Sequence, residues 1–235
     1  MDGIINIKLV LLGDTNVGKT SMILKLIRDM FSDYTESTIG AAYYVLRKKY
    51  FYDKNKNNVS NVSNVSNEPN EPNASNEMEM NDHYTQGKSM IEYKLTYQIW
   101  DTSGQERYRS LCPMYYRDAD VVLICYDIAN SISFKSVDYW IKELNKTTYK
   151  LKSPLIYIIG NKKDLIKNEI NLLDINYVSY PIYEVSAKTG ENIKKLFDDI
   201  SHDICKVYNH EYIPTLNTDT VQLSESINKL CCTIN

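Results

Sequence analysis

The chain has 235 residues, 43% of them hydrophobic and 24% charged, with a formal net charge of −3. That length carries one large domain or two small ones around a sizeable core, in an ordinary globular composition. The acidic balance leaves no basic footprint for nucleic acid, and no apolar run approaches the roughly 18 residues of a membrane span.

Met1-Asp2-Gly3 opens neither a signal peptide nor a myristoylation site, since glycine stands third. Residues 4–12 are a short β-branched apolar run ending in glycine, the pattern of a buried strand. Residues 21–28 carry apolar side chains at helical spacing. Residues 42–52 and 91–100 read as two further strands. Val121–Asp127 and 155–160 are continuous apolar runs, as expected of strands covered on both faces. Residues 134–146 place Val137, Trp140, Ile141 and Leu144 on one helical face between them. Residues 182–186 form a last short strand, and 192–208 a long amphipathic helix. Alternation of this kind predicts an α/β fold, a mostly parallel six-stranded sheet with helices on both faces.

Residues 53–90 break the pattern. Ten of them are Asn, and the triplets NVS, NEP and NAS run in tandem from Asn58. Too little apolar surface is present to offset the entropy of ordering, which predicts a disordered insert in a strand-to-strand loop. The five cysteines stand at 112, 125, 205, 231 and 232, without metal-ligand spacing. The first three read as reduced, with Cys125 in the core. Tyr reaches 20 against 4 Phe, a bias for which the sequence offers no physical reason.

Gly13-Asp14-Thr15-Asn16-Val17-Gly18-Lys19-Thr20 fits G-x-x-x-x-G-K-[ST] between a strand and a helix, which Ser21 continues. Such a loop turns successive backbone N–H groups toward the phosphates of a nucleotide. Lys19 supplies charge to the β- and γ-phosphates, and the Thr20 hydroxyl ligates Mg²⁺. Asn161-Lys162-Lys163-Asp164 follows the strand at 155–160, at the carboxyl edge where α/β sheets bind ligands. The Asp164 carboxylate suits the N1–H and exocyclic amine of guanine, whereas adenine presents an acceptor at N1. Asp101-Thr102-Ser103-Gly104-Gln105 ends the strand at 91–100. There Asp101 would hold Mg²⁺ through water, Gly104 would offer its N–H to the γ-phosphate, and Gln105 would orient the attacking water. Thr38 would close on the metal and γ-phosphate, and in Ser186-Ala187-Lys188 the Ala187 N–H would reach guanine O6. Six of the eight glycines (13, 18, 40, 104, 160 and 190) stand in or beside these loops.

The five elements, in this order, resemble the Ras superfamily of small GTPases over nearly all of residues 4–208 outside the insert. Within it, Ile39-Gly40-Ala41-Ala42-Tyr43, Ile99-Trp100-Asp101-Thr102, Gln105-Glu106-Arg107-Tyr108 and Tyr115-Tyr116-Arg117 are similar to Rab segments. Residues 36–42 and 110–116 look like the early-endosomal, Rab-five branch. The resemblance implies a P-loop NTPase fold and a GTPase domain over 1–208. It implies GTP or GDP as ligand, Mg²⁺ as cofactor, and Gln105, Lys19 and Thr38 as catalytic residues. Phe31 matches the aromatic beside guanine, and Tyr43, Trp100 and Tyr115 match the effector-binding triad.

Cys231 and Cys232, in a tail of residues 209–235, resemble the double geranylgeranylation signal. The implied partners are an exchange factor, a GTPase-activating protein, Rab escort protein with geranylgeranyl transferase, GDP-dissociation inhibitor and trafficking effectors. The expected species is a monomer on the cytoplasmic face of endosomal membranes. Ser103 stands where these GTPases have Ala, Tyr43 where the triad has Phe, and the segment 165–181 is short. Thr15 and Asn16 occupy P-loop positions that crowd the transition state. With no arginine evident in cis, the expectation is slow, activator-dependent hydrolysis. The competing readings are a GTP-regulated membrane scaffold with negligible hydrolysis, a Rab of another transport step, and an ATP-using enzyme, which residues 161–164 disfavour.

Overall fold

The computed structural model describes residues 3–53, 90–146, 153–166 and 179–211. The interior of the asparagine-rich segment, most of 165–181, and Cys231 and Cys232 lie outside the described residues. The elements are β1 (Gly3–Leu12), α1 (Lys19–Arg28), β2 (Ala41–Asp53), β3 (Met90–Thr102), α2 (Cys112–Tyr116), β4 (Val121–Asp127), α3 (Ser131–Lys146), β5 (Leu155–Asn161), β6 (Ile182–Glu184) and α4 (Ile193–Glu211). Short 3₁₀ turns cover Glu106–Leu111 and Lys163–Leu165.

The six strands form one sheet in the order β2-β3-β1-β4-β5-β6. β2 and β3 pair antiparallel; every other pair is parallel. Covering both faces is what makes the central strands continuously apolar. Leu9 and Leu11 of β1 face Met22 and Ile23 of α1 and Leu196, Phe197 and Ile200 of α4. Val10 and Leu12 face the other way, toward Tyr116 of α2 and Val137, Trp140 and Leu144 of α3. Burying each such side chain contributes roughly 1.5–3 kcal/mol. Cys112, Cys125 and Cys205 are buried free thiols, and burial pushes the Cys125 thiol up to about 12.

Three elements depart from the periodicity. α3 begins at Ser131, ahead of its first apolar stripe, because the Asn130 side chain accepts from the Ile132 N–H at 3.0 Å and caps the helix. β6 stops at Glu184, two residues short of the expected strand. Beyond it Val185 bonds Gly160 and Lys163 through its backbone and turns the chain back toward β5. The five-residue α2 has no apolar repeat long enough to announce it.

The tyrosines have a shared task. The hydroxyl of Tyr93 donates to Asn209 (2.7 Å), that of Tyr157 to Asp203 (2.7 Å) and that of Tyr183 to Asp199 (2.8 Å), all on α4. The Tyr97 hydroxyl meets Ser201 at 2.7 Å. The Ser201 hydroxyl hydrogen is committed to the Phe197 carbonyl at 2.6 Å, so Tyr97 is the donor. Each ring fills the layer between sheet and helix while its polar tip satisfies a group on the helix. Burial raises the Tyr97, Tyr157 and Tyr183 hydroxyls above the ordinary phenol value, which keeps them protonated as donors. In the same layer Lys48 of β2 ion-pairs with Asp198 of α4, both almost fully buried.

Removing one member of a buried pair strands the other charge without water. Asp198→Ala is therefore expected to destabilise the fold by about 3–5 kcal/mol, and the double change Lys48→Met/Asp198→Leu by much less. Urea unfolding of the two variants measures the difference.

Candidate functional site

The carboxyl ends of β1, β3, β4 and β5 lie side by side, and the loops that leave them build one cleft. After β1 the chain turns at Gly13 with φ 141°, where a Cβ would stand 2.1 Å from the Cys125 carbonyl oxygen. Asn16 and Gly18 also take positive φ, curling the loop into the start of α1 at Lys19. Lys19 is buried, and its Nζ donates to the carbonyls of Gly13 at 2.9 Å and Asp14 at 2.8 Å. Burial lowers its pKa, opposed by neighbours that include Asp101.

Next to Lys19, oxygens from α1, from β3 and from the segment before β2 converge. The Thr20 hydroxyl of α1 donates to Asp101 Oδ2 of β3 at 2.6 Å and lies 2.9 Å from the Thr38 hydroxyl. Asp101 is wholly buried, and its second oxygen, Oδ1, has no hydrogen-bond partner among the described residues. Burial raises the Asp101 carboxyl, against the opposing pull of the Thr20 bond and of Lys19. A buried carboxylate oxygen without a partner is costly unless a cation or donor reaches it. With two hydroxyls beside it, this donor set suits a hard cation that keeps its waters and binds phosphate oxygens, as Mg²⁺ does.

Two loops meet above this cluster. The Ser103 N–H donates to the Gly40 carbonyl at 2.8 Å, tying the segment before β2 to the segment after β3. The Ser103 hydroxyl accepts from the Gln105 N–H at 3.3 Å. Gly104 rides directly on the P-loop, where a Cβ would lie 2.3 Å from the Asp14 carbonyl and the Thr15 nitrogen. The Gln105 side-chain oxygen accepts from Arg107 Nε at 2.6 Å.

The cleft lined by Thr15, Lys19, Thr20, Thr38, Gly104 and Gln105 continues past Asn16, Gly18 and Ser21 to a second chamber. That chamber is lined by Phe31, Asn161, Lys162, Asp164, Ala187 and Lys188. Lys188 Nζ sits 5.9 Å from the Phe31 ring centre. Ser186 is buried, and its hydroxyl donates to Asp164 Oδ1 at 2.5 Å, holding that carboxylate in place. Val17 turns its side chain into the core and offers its carbonyl to Asn161. Away from the cleft, Trp100 touches Tyr43 (ring centres 5.2 Å apart) and Tyr115 (5.6 Å), and Tyr43 is half exposed.

Sequence comparison matches residues 70–206 to the Ras family and residues 8–66 to the Ras of Complex, Roc, domain of DAPkinase. The chain is 36% identical over 203 residues to the GTP-binding protein ypt5 of Schizosaccharomyces pombe, covering 84% of this chain and 77% of that one. It is 30% identical to Ras-related protein RABF2b of Arabidopsis thaliana, over 97% of this chain and 96% of the other. With Ras-related protein Rab-5A of Dictyostelium discoideum the identity is 32%, over 86% and 83%.

Asn161 is more than a lining residue. Its side-chain amide donates to the carbonyls of Val17 (2.9 Å) and Gly18 (3.2 Å), and its oxygen accepts from the Ala187 N–H at 3.0 Å. It pins three loops together from a buried position. The motif reading also passed over Asp127, which ends β4 at the same carboxyl edge and pairs with Lys162 at 2.8 Å. Its place at a strand terminus was the available signal. Asn161→Ala takes this partner from two buried backbone groups, the Val17 carbonyl and the Ala187 N–H, and is expected to cost about 2–4 kcal/mol. Urea unfolding measures the loss, and amide exchange is expected to quicken in residues 13–18 and 186–190.

Proposed function

The chain belongs to the early-endosomal branch of the Rab family of small GTPases, and on that premise we propose how its residues work the GTP switch. As a Ras-family GTPase it binds GTP and GDP and hydrolyses GTP. The observation that carries the assignment of roles is the convergence of Thr20, Thr38 and the half-satisfied Asp101 beside buried Lys19.

In this reading Lys19 transfers its hydrogen bonds from the Gly13 and Asp14 carbonyls to the β- and γ-phosphates of the nucleotide. Backbone N–H groups of residues 14–20 surround the phosphates, with Ser21 at the nucleotide side of the loop. Thr20 and Thr38, with Asp101 acting through water, would hold Mg²⁺, which would supply positive charge to the phosphate oxygens during transfer. Gly104 offers its N–H to the γ-phosphate, so loss of that phosphate frees the segments around Thr38 and Gly104 together. Guanine lies between Phe31 and the 161–164 loop, where Asp164 accepts from its N1–H and amine. The Ala187 N–H, which Asn161 holds, lies at the O6 side.

Gln105 orients the attacking water after releasing Arg107. Arg107 and Arg109 are both engaged within the chain, to Gln105 and Asp14. That supports slow intrinsic turnover and an activating protein that supplies an arginine, an addition worth roughly 10³–10⁵ in rate. Effectors read Tyr43, Trp100 and Tyr115 when both switch segments are ordered. Exchange factor, escort protein with prenyltransferase, and GDP-dissociation inhibitor complete the cycle of a monomer moving between cytosol and endosomal membrane. Among the described residues no helix is long and apolar enough to cross a membrane. The proposed anchor is a pair of geranylgeranyl groups on Cys231 and Cys232, since one lipid chain binds marginally and two bind stably.

Gln105→Leu is expected to slow single-turnover GTP hydrolysis at least about tenfold with guanine-nucleotide affinity preserved. An unchanged rate removes Gln105 from the water-positioning role. Replacing Cys231 and Cys232 together by Ser is expected to shift the protein from the membrane to the soluble fraction of fractionated cells. Continued sedimentation with membranes would refute the lipid anchor.

A further inference from the structure

The Asp14 side chain points away from the cleft toward α3. Its Oδ2 accepts from the Ser136 hydroxyl, and its Oδ1 pairs with Arg109 Nη2 at 3.3 Å. Arg109 belongs to the 3₁₀ turn Glu106–Leu111 that directly follows Gln105. Its guanidinium carbon lies 4.8 Å from the Tyr139 ring centre and 5.7 Å from that of Trp140. Tyr139 and Trp140 are themselves in edge contact at 5.1 Å. Ser136, Tyr139 and Trp140 stand three and four residues apart on α3 and so share a face.

The backbone of Asp14 is occupied as well. Its carbonyl accepts from Lys19, and it forms the floor on which Gly104 rests. One residue therefore touches the phosphate-binding lysine, the turn before Gln105, the turn after it, and α3. We propose that Arg109 is a positioning residue for hydrolysis, clamping the segment that carries Gln105 between the Asp14 carboxylate and the aromatic face of α3. The inference rests on the water-orienting role given above to Gln105.

A partly exposed ion pair alone adds little to stability. The clamp is more specific than that, because Ser136 fixes the carboxylate and the planar guanidinium bonds and stacks at once. Lysine can make the charge contact without the stacking. Positioning matters far more for rate than for folding, since a shift of about 1 Å in a catalytic group can cost about 10²-fold.

The test is single-turnover hydrolysis of preloaded GTP, with GDP release followed in parallel on the full chain. Arg109→Ala is expected to slow hydrolysis about tenfold while GDP release changes less than about twofold. Tyr139→Phe keeps the ring and the wild-type rate, while Tyr139→Leu and Arg109→Lys each lose part of it. Hydrolysis by Arg109→Ala at the wild-type rate overturns the inference alone. Equal changes in hydrolysis and GDP release also overturn it, because they report a structural role. If the wild-type chain binds GTP without hydrolysing it, the water-orienting reading and this inference fall together.

Discussion

A carboxylate sealed from water at the end of β3 governs the arrangement of the site. Asp101 is wholly buried, with one oxygen bonded to Thr20 and the other unmatched among the described residues. Leaving a charged oxygen in that condition costs several kcal/mol unless charge of opposite sign is brought to it. Lys19 is the nearby cation, itself buried and held by P-loop carbonyls. A cation and phosphates in the cleft would satisfy groups that the described residues do not satisfy among themselves.

The same economy of contacts links the loops. The segments before β2 and after β3 meet through the Ser103–Gly40 backbone bond, and Gly104 lies so close to Asp14 that no side chain fits between them. In the proposed cycle a change at the P-loop would reach Gln105 and Thr38 through these contacts without any long relay. On the side of the cleft lined by Phe31, Asn161 plays the corresponding part, joining the P-loop to the 186–188 loop. The two halves of the cleft share the P-loop, which is why that loop tolerates so little freedom.

Behind the site, the layer between sheet and α4 gives four of the chain's 20 tyrosines a task that phenylalanine could not perform. Tyr93 and Tyr97 rise from β3, Tyr157 from β5 and Tyr183 from β6, and each hydroxyl meets a polar group on α4. Phenylalanine would fill the same volume and leave Ser201, Asp199 and Asp203 with one partner fewer. With the buried Lys48–Asp198 pair, this gives α4 a fixed register on the sheet rather than a merely greasy fit. Polar contacts of this kind add modestly to stability and more to uniqueness of packing.

The order of strands and helices, the two covered faces of the sheet and the residues of the cleft were legible from apolar periodicity and from fixed motif spacing, because both are local properties of the chain. Gly13–Thr20 and Asn161–Asp164 are contiguous motifs, and the chemistry proposed for them rests on residue type, spacing and the strands they follow. Contacts made across the fold were not legible. The Asn130 cap that starts α3 early, Asn161 as a brace, and Asp14 facing α3 and Arg109 rather than the cleft all depend on partners brought near by folding. The tyrosine count was visible as an anomaly, but the use made of four of them required knowing that strands β3, β5 and β6 all present tyrosines to one helix. Composition and spacing determined what chemistry this chain carries; tertiary structure alone decided which groups would be buried together, because burial and pairing are properties of neighbours in space.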